Sequence, residues 1–127
     1  MKPKFKDMTA WHQAELLMQP TLIRTIDNLR KHLEKSTWKG TYREIQEPFP
    51  GYKLDLELGD RQETIDIWEL CYQICFRNYQ PTHAPDESYE VEIDTSLFNE
   101  NGEVDWIRLD AKAQSLIADI FNNLGGG

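Results

Sequence analysis

Tyr89, Val91, Ile93, Thr95 and Leu97 alternate with Glu90, Glu92, Asp94 and Ser96. A period of two belongs to a strand with one face on a core and the other in water, and this is the clearest strand pattern in the chain. Tyr52, Leu54, Leu56 and Leu58 alternate in the same way with Lys53, Asp55 and Glu57. Gly59-Asp60-Arg61 is turn chemistry and Thr64-Ile65-Asp66-Ile67 resumes an extended pattern, so the stretch predicts a hairpin. Thr41 to Gln46 reads as a weaker strand, followed by a connection at Pro48-Phe49-Pro50-Gly51.

Elsewhere the period changes to that of a helix. Leu22, Ile26, Leu29 and Leu33 recur at spacings of 4, 3 and 4 residues, one apolar stripe. Pro20 has no N–H to donate and suits a first turn better than a helix interior. The pattern therefore predicts a short helix from Ala10 to Met18, a break near Gln19, and a longer helix from Pro20 to Lys35. Near the C-terminus, Asn99-Glu100-Asn101-Gly102 predicts a turn. Asp105 can cap a helix whose apolar positions are Leu109, Ala113, Leu116, Ile117, Ile120, Phe121 and Leu124, with Gly125 as its stop.

The stretch "ETIDIWELCYQICFRNY", Glu63 to Tyr79, fits both periods. As a helix it has a polar stripe of Glu69, Gln73 and Arg77, with Asp66 and Glu69 resembling a capping box. As a strand it alternates Trp68, Leu70, Tyr72, Ile74 and Phe76 with Glu69, Cys71, Gln73, Cys75 and Arg77, after a bulge at Ile67–Trp68. Its aromatic and β-branched content favours the strand. The following "NYQPTHAPDE" is a loop. The sum is an α+β fold: N-terminal helices, an antiparallel β-meander of about four strands, and a C-terminal helix packed on the sheet. Residues 1–127 form one domain, with 1–8 and 125–127 expected to be flexible.

Composition narrows the class. Apolar residues make up 39% and charged residues 28%, the balance of a globular rather than a disordered chain. No apolar run approaches the ~20 residues that span a bilayer. "MKPKFKDMTAWHQ" has no apolar signal core, and two cysteines without a signal suit a reducing cytoplasm. The net charge of −8 is unevenly placed: residues 1–45 hold nine Lys+Arg against five Asp+Glu, and residues 46–127 hold five against seventeen. That acidic surface repels phosphates and anionic lipid heads, so neither nucleic acid nor membrane is an expected partner.

The candidate chemistry is thin. Cys71 and Cys75 with His83 would still lack a fourth zinc ligand, and there is no CxxC spacing for redox work. Both cysteines read as small buried residues. Aligning Gly102 to the glycine of a calcium loop puts Leu97 and Arg108 at the two end-ligand positions, which rejects that motif. There is no GxSxG, no HExxH and no glycine-rich phosphate loop, and Glu90, Glu92 and Asp94 read as a solvated strand face rather than an active site. No metal, cofactor or catalytic residue is expected, and an enzyme is the less favoured class. Of the four tryptophans, Trp68 and Trp106 lie beside core patterns. Trp38, among basic residues, either covers the open end of the core or serves as an interface hot spot.

The stretches "TAWHQAELLMQPTLIRTIDNLRKHLE", "WELCYQICF" and "EVEIDTSLFNENGEVDWIRLDAKAQ" resemble those of small conserved proteins of cyanobacteria. The resemblance implies a cytoplasmic protein of a photosynthetic bacterium and an accessory role; it transfers no functional residue. The reading that emerges is a non-catalytic protein-binding accessory factor of assembly, chaperone-like or regulatory type. The alternative is a small enzyme or ligand-binding domain with a pocket between sheet and helices. The predicted docking surface is the basic side of the second helix and the segment after it: Arg24, Lys31, Lys35, Trp38, Lys39 and Arg43. It suits a partner protein with an acidic surface, and the bipolar charge also suits a homo-oligomer.

Overall fold

The hairpin and the strand before it form as the alternation requires. In a computed structural model that describes residues 2–46, 50–77, 79 and 88–124, β2 (Lys39–Ile45), β3 (Gly51–Leu58) and β4 (Arg61–Asp66) make an antiparallel meander in that order. The register is unbroken, from Lys39 opposite Glu57 to Ile45 opposite Gly51, and from Lys53 opposite Asp66 to Leu58 opposite Arg61. Gly59, at φ 60°, turns the hairpin in a region that side chains disfavour. Leu54 and Leu56 point into the core, while Lys53, Asp55 and Glu57 form the other face. Pro48 and Phe49, most of the predicted loop 78–87 and the predicted stop at Gly125 lie outside the described residues.

The N-terminal residues differ from expectation. No strand was expected before Ala10, yet β1 (Lys2–Phe5) pairs in parallel with β5 (Ser88–Val91). A parallel pair needs a long crossover, and here the connection is most of the domain. Asp7 then accepts a hydrogen bond from the Ala10 N–H at 2.8 Å and caps α1 (Met8–Lys35). This one helix replaces the predicted pair broken at Gln19. Pro20 lies inside it and denies the Leu16 carbonyl its helical donor. That side faces water, with Leu16 and Gln19 exposed, while Leu17 and Thr21 on the other side are fully buried and hold the two halves in line. Replacing Pro20 with alanine restores the donor, and a gain of about 1–2 kcal/mol is expected after allowing for the freer unfolded chain. Urea denaturation measures it; a loss of stability would mean that the helix is kinked to fit the proline.

The ambiguous stretch is helical, which corrects the strand preference. Asp66 ends β4 and accepts from the Glu69 N–H at 3.3 Å, starting α2 (Ile67–Cys75) at once. The helix gathers Ile67, Leu70, Cys71, Ile74 and Cys75 on one buried face, whereas a strand would have divided them between two. The second correction concerns β5, which ends at Val91. Ile93 makes an isolated bridge with Phe76, and Asp94 caps a 3₁₀ turn (Thr95–Leu97) instead of continuing the strand. The antiparallel meander therefore has three strands. Asn99 Oδ1 accepts from the N–H groups of Asn101 and Glu103 to make the predicted turn, and Asp105 accepts from the Arg108 N–H to start α3 (Trp106–Leu124).

Two apolar clusters share the long helices. Under the meander, Leu29, Trp38, Leu54, Leu56, Ile67, Leu70, Cys71 and Ile117 are buried together. Toward β1 and β5, the other cluster gathers Leu17, Ile74, Phe76, Val91, Ile93, Leu97 and Leu109. The fold is α+β, with the C-terminal helix packed in the region of the sheet as predicted.

Candidate functional site

The six predicted docking residues are not gathered on one surface. Arg24 lies in the seam between α1 and α3, 3.6 Å from Asp110, with its guanidinium over the Trp106 ring. Lys31 pairs with Asp27 at 3.1 Å, and Lys35 is exposed at the end of α1. The meander covers the leucine side of α1: a Cβ at Gly40 would stand 2.9 Å from Leu33 Cδ1. Lys39 and Arg43 share the face of the sheet turned away from that contact, since they pair with Glu57 and Lys53 rather than with the buried leucines. Residues chosen for lying opposite the leucines thus end up on the other side of the molecule from Lys39 and Arg43. Trp38 is only 4% exposed, and the hot-spot role expected of it gives way to a core role. The Arg61 guanidinium lies 5.0 Å from its ring centroid and donates to the Leu124 carbonyl at 2.6 Å, closing that end of the core.

What the structure assembles instead is an aromatic groove. Under the meander the leucine stripe of α1 is covered by sheet. Nearer its N-terminus the same side of α1 presents Trp11, Glu15, Met18, Gln19 and Leu22, faced by the edge of α2 and by Phe5. Trp68, Tyr72 and Phe76 recur at four-residue spacing along α2, and their rings stack at 6.4 and 5.6 Å between centroids. Phe5 meets Phe76 edge-on at 5.9 Å, at the β1 end. At the other end β3 begins against the indole, where a Cβ at Gly51 would stand 2.8 Å from Trp68 Cδ1. The space between is about 620 Å³. Trp11 is 44% exposed on its rim. Glu15 and Gln19 are its carboxylate and amide lining residues, both on the α1 side. Sequence reasoning missed this site because its walls come from three elements. The signal was the four-residue spacing of Trp68, Tyr72 and Phe76, which makes the rings neighbours along a helix, whereas a strand would set Leu70 and Ile74 between them.

The cysteines lie behind this groove. Thr21 Oγ1 is 3.3 Å from Cys75 Sγ, and Thr25 Oγ1 makes a longer 4.0 Å contact with Cys71 Sγ. The two pairs, each at four-residue spacing, let α1 and α2 approach closely. Both thiols are free, and burial pushes them up, Cys71 to about 12 and Cys75 to about 11. Neither is a thiolate nucleophile in the folded state.

Glu90, Glu92 and Asp94 do not form one exposed strand face. Asp94 turns inward and accepts from Lys112 Nζ at 2.7 Å; the same ammonium donates to the Ile74 carbonyl at 2.6 Å. Burial works to raise the Asp94 carboxyl, but hydrogen bonds from Lys112 and Ser96 outweigh it and hold it below the usual carboxylate range. The network ties α2, the 3₁₀ turn and α3 together. Among the described residues, no three His, Cys, Asp or Glu side chains converge as metal ligands, and no helix is long and apolar enough to cross a membrane. Comparison of the chain with protein-family models, with curated proteins and with solved structures finds no match.

Proposed function

We propose that this chain is a non-catalytic accessory protein of the cytoplasm that holds an apolar segment of a partner protein in the groove between α1, α2 and β1. The observation that carries the reading is the composition of the groove: Phe5, Trp11, Met18, Leu22, Trp68, Tyr72 and Phe76 line one open trough. Aromatic residues and methionine are the side chains that interfaces concentrate at their centres. The stacked α2 rings form a rigid wall, so little side-chain freedom is lost on binding. The resemblance to small cyanobacterial proteins supports an accessory role in such a cell. A small-molecule site is the second reading, since the volume falls in the range of ligand pockets. Such sites orient their ligand with convergent polar groups, whereas the carboxylate and the amide of this groove, Glu15 and Gln19, stand on one rim only. That asymmetry favours a peptide side chain over a polar metabolite.

Site-specific photo-crosslinking tests the proposal. A photoreactive residue replaces Gln19, on the rim, or Lys53, on the outer face of the sheet, and the protein is irradiated in cells of its host. A discrete protein adduct from position 19, absent from position 53 and lost when Tyr72→Ala is added, is the expected result. Identical labelling from both positions, or none from position 19, rejects the groove as a protein-binding site.

A further inference from the structure

The aromatic groove carries charge of one sign. Glu15 stands on its α1 rim, and among the described residues no lysine or arginine lines it. Glu15 makes no ion pair or side-chain hydrogen bond with another described residue. Lys6, which follows Phe5 in the chain, lines a different depression with Ala10, Gln13 and Arg77. A segment that enters the groove therefore meets one uncompensated carboxylate beside a wall of rings.

The neighbours of that carboxylate define what pairs with it. Trp11, Glu15 and Gln19 follow one another at four-residue spacing, so they adjoin along one side of α1. The Trp11 indole is exposed. Trp38 and Trp106 each hold a guanidinium of the chain itself, at 5.0 and 5.9 Å from the ring centroid, whereas no cation among the described residues lies over Trp11. Indole is the strongest of the aromatic attractors of a cation, and a carboxylate one helical turn away adds an ion pair to the same group. Arginine suits the two together better than lysine does, because its planar fork stacks on a ring while donating to a carboxylate. The net charge of −8 also draws a basic segment toward the protein.

Helix packing sets the direction of such a segment. Thr21 faces Cys75 and Thr25 faces Cys71, so α1 and α2 run antiparallel. Trp11 and Glu15 thus stand toward the end of the groove where Phe5 meets Phe76, and Trp68 marks the far end. We infer, resting on the groove as the site of an apolar partner segment, that this segment carries an arginine at the Phe5 end. Its guanidinium lies on the Trp11 indole and donates to the Glu15 carboxylate, and its apolar residues run along Tyr72 to Trp68. The sign is the reverse of the acidic partner suggested by the basic residues of α1. A segment with a carboxylate at that place is refused by Glu15 as a like charge.

Fluorescence anisotropy with the full chain at low salt tests the inference. The probes are labelled nine-residue peptides of leucine and serine that differ at one position near one end, which holds arginine, its uncharged isostere citrulline, or glutamate. The expected result is saturable binding of the arginine peptide, about 3- to 30-fold weaker binding of the citrulline peptide, and still weaker binding of the glutamate peptide. Glu15→Gln should weaken the arginine peptide about 1.5- to 5-fold and the citrulline peptide less. Trp11→Leu should also narrow the gap between the two, and circular dichroism checks that both variants stay folded. Equal affinity for arginine and citrulline, or a preference that survives both substitutions, overturns the inference and leaves the groove as a protein-binding site. Absence of saturable binding by every peptide overturns it as well, and the crosslinked adduct from position 19 then decides separately whether the groove holds a protein.

Discussion

Replacing Trp38 with alanine should cost about 3–5 kcal/mol, the range for deleting a large buried aromatic side chain. In a chain of 127 residues that is a fall of about 10–20 °C in Tm. The indole is 4% exposed and lies in the cluster with Leu29, Leu54, Leu56 and Ile117. It also carries the Arg61 guanidinium, which donates to the last carbonyl of α3. Removing the ring leaves a cavity and frees the arginine that holds the C-terminal turn. Trp38→Phe keeps much of the apolar volume and should recover more than half of the loss. Thermal unfolding followed by circular dichroism decides the matter. A Tm within a few degrees of the parent would mean that Trp38 is a surface residue, as its basic neighbours in sequence suggested.

Asp94→Ala should be the next most damaging change. Its side chain is 13% exposed and receives hydrogen bonds from Lys112 Nζ, Ser96 N and Ser96 Oγ. Breaking a buried ion pair from one side costs about 3–5 kcal/mol. Lys112 is 34% exposed, so water takes part of its charge, and about 2–3 kcal/mol is the expected loss. The pH dependence follows from the direction of the shift. The folded carboxyl lies below its ordinary value of 3.8, so its contribution is complete above that value and is lost as the pH falls through the folded one. The stability gap between parent and variant should therefore be flat near neutrality and close below about pH 4. A gap that stays constant into acid would show that the loss does not come from the charge of the carboxylate. Adding Lys112→Met to Asp94→Ala should cost less than the two single losses combined, because the single variant leaves an ammonium without its carboxylate.

The candidate site was less legible than the fold, and the reason is visible at Tyr72. In a strand its ring would stand beside Leu70 and Ile74; in a helix it stacks between Trp68 and Phe76. The period of α2 was open, so the aromatic row could not be seen. Phe5 joins it only because β1 pairs with β5, residues some eighty positions apart. Nothing local in "MKPKFKD" announces that pairing. The basic surface failed for a related reason. The helical period correctly set Arg24, Lys31 and Lys35 away from the leucines, but it did not say that α3 would pack along that flank and engage Arg24 through Asp110.

Local physics was enough wherever an element's own pattern had a single solution. Leu54 and Leu56 could face only one way in an alternating strand, Gly59 could close the hairpin, and Asp105 could start α3, so the α+β class and the meander were readable from the chain itself. Tertiary structure decided the cases in which two local solutions had similar energy. Pro20 stays inside α1 because the proline costs one hydrogen bond on the wet side, while burying Leu17 and Thr21 in line with Leu29 is worth more. Residues 67–75 become a helix because only that period puts Ile67, Leu70, Cys71, Ile74 and Cys75 on one face against both clusters. The strand at Tyr89 stops at Val91 because Asp94 is worth more against Lys112 than in water. The groove is the consequence of the first two of these choices and of the β1–β5 pairing, since its walls are the continuous α1, the helical α2 and the β1 strand held by β5.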